Sequence, residues 1–191
     1  MNYGIARVNK TQNCAQYHLF DHRQQLILVA DYGSPWVPPH QVRLARPDGQ
    51  PVASLTLPRP ALTRFRRQTS NLASYALVIE NAVHAVINRL QPSTVNQSEK
   101  PYYIIEVESQ KWLALGEPEG AERFALYSTV PPRLAFTPLR QVPLPAAVGT
   151  INPMPPDTLP YDFAITVEPG RLKQLPLLLL CLVFLMEHNP A

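Results

Sequence analysis

The sequence predicts a mainly β fold: a closed, roughly twelve-stranded antiparallel barrel around a central hydrophobic C-terminal α-helix. Three observations point there. From Leu175 to Met186 the chain reads Leu-Pro-Leu-Leu-Leu-Leu-Cys-Leu-Val-Phe-Leu-Met, without one polar side chain. A helix over that run is roughly 18 Å long, against about 30 Å of bilayer hydrocarbon, and being apolar on every side it has no face for water. Upstream, apolar/polar alternation punctuated by turn residues recurs as far as Val167. About a dozen strands exceed what an open twisted sheet usually carries, so closure is favoured. The lumen of such a barrel is too wide for its own side chains, and a helix about 10 Å across would fill it.

The elements follow in order. Tyr17 to Phe20 and Leu26 to Asp31 are strands separated by a hairpin-length gap. Val42 to Ala45 and Val52 to Leu57 flank Pro47-Asp48-Gly49-Gln50, where Pro presets φ and Gly tolerates the left-handed region. Within the second of these, Ala53, Leu55 and Leu57 face one way, and Val52, Ser54 and Thr56 the other. Thr63 to Gln68 is a further candidate strand. Tyr75 to Glu80 and Val83 to Leu90 flank a tight turn at Asn81-Ala82. Residues 91–100 are polar and aperiodic, a surface loop. Tyr102 to Glu108, Trp112 to Leu115 and Phe124 to Ser128 form a meander. Residues 131–160 hold nine prolines, a Pro-rich stretch that reads either as an extended wrap-around segment or as a flexible excursion. Tyr161 to Val167 is the last strand. Pro169-Gly170 breaks the chain before a core helix over about 171–188, in whose first turn Pro176 is tolerated.

The 191 residues fit a single domain over 1–191, with 46 % hydrophobic residues to build its core and 22 prolines against long helices upstream. Charge is uneven. Residues 1–91 carry ten Lys/Arg and four Asp/Glu, net +6, while residues 92–191 carry seven and ten, net −3. A basic half of this kind suits either an anionic partner or a plain solvated face. Cys14 and Cys181 have no framework spacing, and Cys181 reads as a small core hydrophobe. Residues 1–15 contain no apolar stretch of a secretory signal, so a reducing cytoplasmic setting is expected.

The order of hairpin, Pro-Asp-Gly hairpin, second hairpin set, then Tyr161-Asp-Phe-Ala-Ile-Thr-Val167 and a Leu-rich terminal helix resembles the tubby C-terminal-like superfamily, in its phospholipid scramblase and LURP-one-related branch. The resemblance covers roughly residues 15–188. It implies twelve strands closed around a central hydrophobic helix, and it raises the prospect of phosphoinositide binding through basic surface residues. Scramblase relatives carry a short acidic calcium segment near the terminal helix. The corresponding Val167-Glu168-Pro169-Gly170-Arg171-Leu172-Lys173 offers one carboxylate and two bases, so calcium dependence is not implied.

Chemical motifs are sparse. Cys14, His18 and His22 have a spacing that suits a helix better than a strand, on which His18 and His22 would lie about 13 Å apart. No Gly-x-Ser-x-Gly, phosphate-cradling loop or Gly-x-Gly-x-x-Gly occurs. A catalytic centre, a metal and a cofactor are therefore not expected. The basic cluster Arg59, Arg64, Arg66 and Arg67 around Phe65 is the candidate ligand site. On a strand Arg64 and Arg66 share one face, and two guanidinium forks at that spacing could grip a phosphate or anionic headgroup. The plain alternative is a solvated strand whose arginines discourage edge pairing. Few aromatics interleave with the run, so nucleic acid is not an expected partner.

The reading is a non-enzymatic binding or scaffold module for anionic lipid or phosphate-bearing surfaces, cytoplasmic and peripheral at a membrane when bound. The alternatives are a small-molecule enzyme using the barrel mouth and a protein-interaction module presenting Pro-rich loops, such as Pro153-Met154-Pro155-Pro156, to a protein partner. A C-terminal membrane anchor is a further reading of the helix.

Overall fold

The computed structural model describes residues 1–11, 14–35, 37–38, 40–57, 72–90, 102–107, 109–116, 123–128, 130, 144–155, 160–168 and 174–188. Among these residues twelve strands occur: β1 (Asn2–Lys10), β2 (Ala15–Phe20), β3 (Leu26–Tyr32), β4 (Gln41–Ala45), β5 (Pro51–Thr56), β6 (Leu72–Ile79), β7 (Ala82–Leu90), β8 (Tyr102–Val107), β9 (Gln110–Gly116), β10 (Phe124–Tyr127), β11 (Gly149–Pro153) and β12 (Phe163–Val167). The helix α1 spans Leu175–His188. Each strand pairs antiparallel with its neighbours in sequence, and β1 pairs with β12 to close the barrel, in the register Asn2↔Thr166 to Ile5↔Phe163.

Alternation decides which side chains enter the lumen. In β2 Ala15, Tyr17 and Leu19 are buried, while Gln16, His18 and Phe20 between them are more exposed. All twelve strands contribute inward residues to a single core cluster with the helix. Every helix residue from Leu177 to Leu185 is buried, so α1 is enclosed around its whole circumference. Small inward residues at Ala15, Ala30, Ala85 and Ala114 sit in the same cluster and leave room for it. Each buried Leu contributes about 1.5–3 kcal/mol over its exposed state. A second, smaller cluster lies on the outer surface. Tyr102 and Leu113 pack there with Ile104, Leu115, Tyr127, Val130 and Leu144.

Several boundaries differ from the sequence reading. β1 and β11 were not among the expected strands. β1 carries Arg7 on the inward alternation of Tyr3 and Ile5, with a bulge between Arg7 and Asn9 that leaves Val8 exposed. A polar inward residue and a bulge both blur the period-2 signal. β11 lies inside the Pro-rich stretch, where Gly149–Pro153 pairs with β10 and β12. At Gly149 an added Cβ would come within 2.6 Å of the Thr166 carbonyl oxygen, so the close strand approach requires glycine. The β6–β7 turn is centred on Glu80–Asn81, both with positive φ, rather than on Asn81–Ala82. Asn tolerates the left-handed region that Ala avoids, and the two-residue primed turn needs it at both centres. The helix is described from Leu175; residues 171–173, the candidate strand Thr63–Gln68 and residues 131–143 of the Pro-rich stretch lie outside the described residues. Among the described residues no helix is long and apolar enough to cross a membrane.

Candidate functional site

The two mouths of the barrel differ. Where α1 enters, short turns at Asp21–Gln25, Arg46–Gln50 and Glu80–Asn81 join three pairs of strands, and the longer connection between the end of β10 and the start of β11 belongs to the same mouth. A shallow groove of about 370 Å³ lies at this mouth, lined mainly by Met1, Val148, Thr150, Thr166 and Glu168. Where α1 ends, the side chains of Glu187 and His188 meet polar residues from the barrel wall, and these form the candidate site.

One half of the site is a locked network on β1, β2 and the helix end. Arg7 points inward from β1, opposite Tyr17 on β2. Its guanidinium holds the Glu187 carboxylate through both oxygens, with Nε donating to Oε2 at 2.8 Å and Nη2 to Oε1. Arg7 also lies 3.9 Å from Asp162, whose Oδ2 accepts the Arg7 backbone N–H at 2.6 Å. That N–H sits just past the end of β12 on the β1–β12 ladder, so the Asp162 side chain stands in for a missing strand partner. Tyr17 Oη donates to Glu187 Oε2 at 2.6 Å, which uses its one proton. The 2.9 Å contact between Tyr17 Oη and His188 Nε2 is then completed by an imidazole N–H, which puts a proton of His188 on Nε2.

Aromatic rings fix this geometry. His188 stacks on Phe184 one turn earlier, with ring centres 4.6 Å apart. Tyr17 meets Phe184 edge-on at 6.2 Å, and Tyr32 of β3 meets it at 5.4 Å. Burial, followed by the hydrogen bond and charge of Glu187, pushes the Tyr17 phenol far above its ordinary pKa, so it remains a proton donor. For Arg7 burial pulls the other way, but the hydrogen bonds and charge of Glu187, with Asp162, outweigh it and raise the pKa.

The other half lies across the barrel. β7 stands six places from β1 in the ring of twelve strands. Arg89 continues the inward alternation of Ala85 and Ile87, directly opposite Tyr103 on β8. Tyr103 Oη donates to the Leu185 carbonyl in the last turn of α1, at 3.3 Å. Arg89 is only 6 % exposed, and its Nε has no hydrogen-bond partner among the described residues. Tyr75 of β6 accepts a hydrogen bond from the Arg89 side chain and Tyr103 lies within its electrostatic reach; burial raises the pKa of both phenols, Tyr103 to about 12.

The residues singled out from sequence fall as follows. Arg59, Arg64, Arg66 and Arg67 lie outside the described residues. The strand ends that bracket them do not: β5 finishes at Thr56, two strands from Tyr32, and β6 begins at Leu72, paired with Leu90 next to Arg89. Both ends open on the mouth where α1 stops. Cys14 and His22 flank opposite ends of β2, and Cys14 Sγ donates to the Gly33 carbonyl at 3.1 Å. His18 faces outward, against Phe20, and its pKa is lowered by burial. Among the described residues no three His, Cys, Asp or Glu side chains gather as a metal site. Pro153 is the last residue of β11, paired with Phe163. Sequence reading missed Arg7, Tyr17, Glu187, His188 and Arg89. The available signal was an arginine at the end of an inward apolar alternation, in Tyr3-x-Ile5-x-Arg7 and Ala85-x-Ile87-x-Arg89.

Comparison of the chain with protein-family models, curated proteins and solved structures found no match.

Proposed function

We propose that the protein is a non-enzymatic binding module of tubby-like, scramblase-related type, whose mouth at the C-terminal end of α1 engages an anionic lipid or another phosphate-bearing surface. The observation that supports this is a pair of arginines, Arg7 and Arg89, that point into that mouth from opposite walls. The end of β5 and the start of β6, which flank the segment of sequence bearing Arg59, Arg64, Arg66 and Arg67, lie at the same mouth. The lumen is filled by α1, so contact with a ligand is expected at the rim rather than inside. Exposed charge attraction is screened over about 8 Å at physiological ionic strength, so binding should weaken with salt.

The test is co-sedimentation with vesicles of phosphatidylcholine carrying an acidic phospholipid. Wild type should pellet with them and release as salt rises. A triple variant, Arg64→Ala, Arg66→Ala and Arg67→Ala, that melts at the wild-type temperature should pellet several-fold less. Equal pelleting by both proteins, or none by wild type, removes the cluster from the reading.

One observation favours the enzyme alternative: Tyr17, Glu187 and His188 converge in hydrogen-bond contact. The ordering goes against it, because Glu187 is gripped by Arg7 through both oxygens and the Tyr17 phenol is held protonated. A network locked in this way suits fastening the helix end better than moving protons.

A further inference from the structure

We propose that the mouth at the end of α1 contains a buried oxyanion site built on Arg89, walled by Tyr75 and Tyr103, which takes a phosphate group. The proposal deepens the reading above and rests on it for the class of ligand. The two inward arginines make the case by contrast. Both face the C-terminal end of the same helix, whose carbonyls carry about half a negative charge. Arg7 meets that end with two carboxylates, Glu187 and Asp162, and is a third exposed. Arg89 is more deeply buried and, among the described residues, no carboxylate lies within ion-pair distance of it.

A guanidinium removed from water is costly unless a counter-charge and hydrogen bonds compensate it. Half a charge from the helix end compensates it in part. The Tyr75 hydroxyl oxygen accepts a hydrogen bond from the Arg89 side chain, but a neutral phenol brings no counter-charge. Among the described residues, the Nε–H of Arg89 remains as a buried donor with no acceptor. Nε–H and the neighbouring Nη–H form one edge of the guanidinium, and that edge matches two oxygens of a phosphate. Arg89 is the penultimate residue of β7, one position from the strand end at the mouth where α1 stops.

The experiment uses the full chain in phosphate-free buffer. Three probes are added separately: inorganic phosphate, glycerol 3-phosphate, and phosphatidylcholine vesicles with or without phosphatidic acid. The Arg89 Nε–H resonance of the wild-type protein should shift on titration, and the melting temperature should rise by roughly 5–10 °C at a hundredfold excess over the dissociation constant. Response to the soluble probes identifies a free phosphate group as sufficient. Response to phosphatidic acid vesicles alone identifies the lipid as the source. Either supports the site.

The variant Arg89→Met removes the charge and keeps the volume. It should melt no lower than wild type without ligand, because a buried charge compensated only in part has been replaced by an apolar side chain, and its melting temperature should not respond to the probes. An Arg89 Nε–H signal that stays fixed with every probe overturns the proposal, and this reading needs no variant to fold. So does a variant that melts lower without ligand while wild type ignores the probes, which would make Arg89 a helix cap. Vesicle binding lost in the Arg64/Arg66/Arg67 variant but kept in Arg89→Met also overturns it, and leaves the surface reading standing.

Discussion

At the scale of single residues, the barrel wall keeps its polar groups by giving each tyrosine hydroxyl a place at the end of an otherwise apolar side chain. Tyr3, Tyr17, Tyr75 and Tyr103 point inward from four strands, and burial is the first cause raising the pKa of each. The consequence for stability has a definite sign. A phenol whose folded pKa lies above its unfolded value, about 10, keeps a proton that the unfolded chain gives up. Its contribution is present in full below about pH 10 and is lost as pH rises through the folded value, which for Tyr103 is about 12. Each pH unit in that window costs about 1.4 kcal/mol for such a group, and Tyr17 and Tyr75 act in the same direction. Stability should therefore fall steeply above pH 10. Tyrosinate absorbance from these side chains should appear together with loss of the strand circular dichroism. Ionisation of all eight tyrosines with the strand signal intact would contradict the burial that places them.

At the scale of elements, the helix was the most legible part of the chain and its ends were the least. Twelve apolar residues without a polar face require enclosure, and the structure encloses them. What the run could not tell was that Glu187 and His188, which read as a stop, fasten the helix to the wall through Arg7 and Tyr17. Those contacts join residues some 170–180 positions apart, and no local pattern carries such a pairing. The strands show the same division. Tyr17 to Phe20 stands out because its alternation is clean. Asn2–Lys10 does not, because Arg7 occupies an inward position and the bulge at Val8 breaks the period. Gly149–Pro153 was hidden by its prolines, although Pro153 is tolerated at the very end of its strand. The enclosed helix makes a sharp expectation. Leu179→Asp places an unpaired carboxylate where the wild-type side chain is 1 % exposed, which costs more than a domain's whole stability margin unless the group is neutralised. The variant should not fold at neutral pH. A chain ending at Gly170, lacking α1, should aggregate with its lumen-facing residues uncovered. A cooperative melt from the monomeric truncated chain would show that the wall stands without its core.

At the scale of the whole molecule, the topology is a single ring of sequence neighbours, and among the described strands only one sheet contact is non-local: the seam between β1 and β12. Every other strand can zip onto the preceding one through a local hairpin or loop, whereas the seam must bring Asn2 beside Thr166. Closure entropy of that loop is paid late, after the sheet has curled around the helix. The seam therefore carries the closed state, and the residues beside it are arranged accordingly. The Met1 amino group donates to the Val167 carbonyl at 2.5 Å, Asp162 extends the ladder to the Arg7 amide, and the Tyr161 ring lies where any side chain at position 4 would sit, so Gly4 is needed there. The sequence announced closure through its strand count but not where the ring closes, because β1, one side of the seam, was among the strands its pattern concealed. Removing residues 1–10 should leave β2 and β12 as bare edges and open the lumen beside Tyr17, Phe184 and Glu187. The expected product retains strand circular dichroism but loses its single sharp melt and self-associates through the two edges, seen as a concentration-dependent mass in light scattering. Adding back a synthetic peptide of residues 1–10 should restore the monomer and the sharp melt. A truncated chain that is monomeric and melts as wild type without the peptide would mean that the seam contributes nothing, and that the helix alone holds the wall closed.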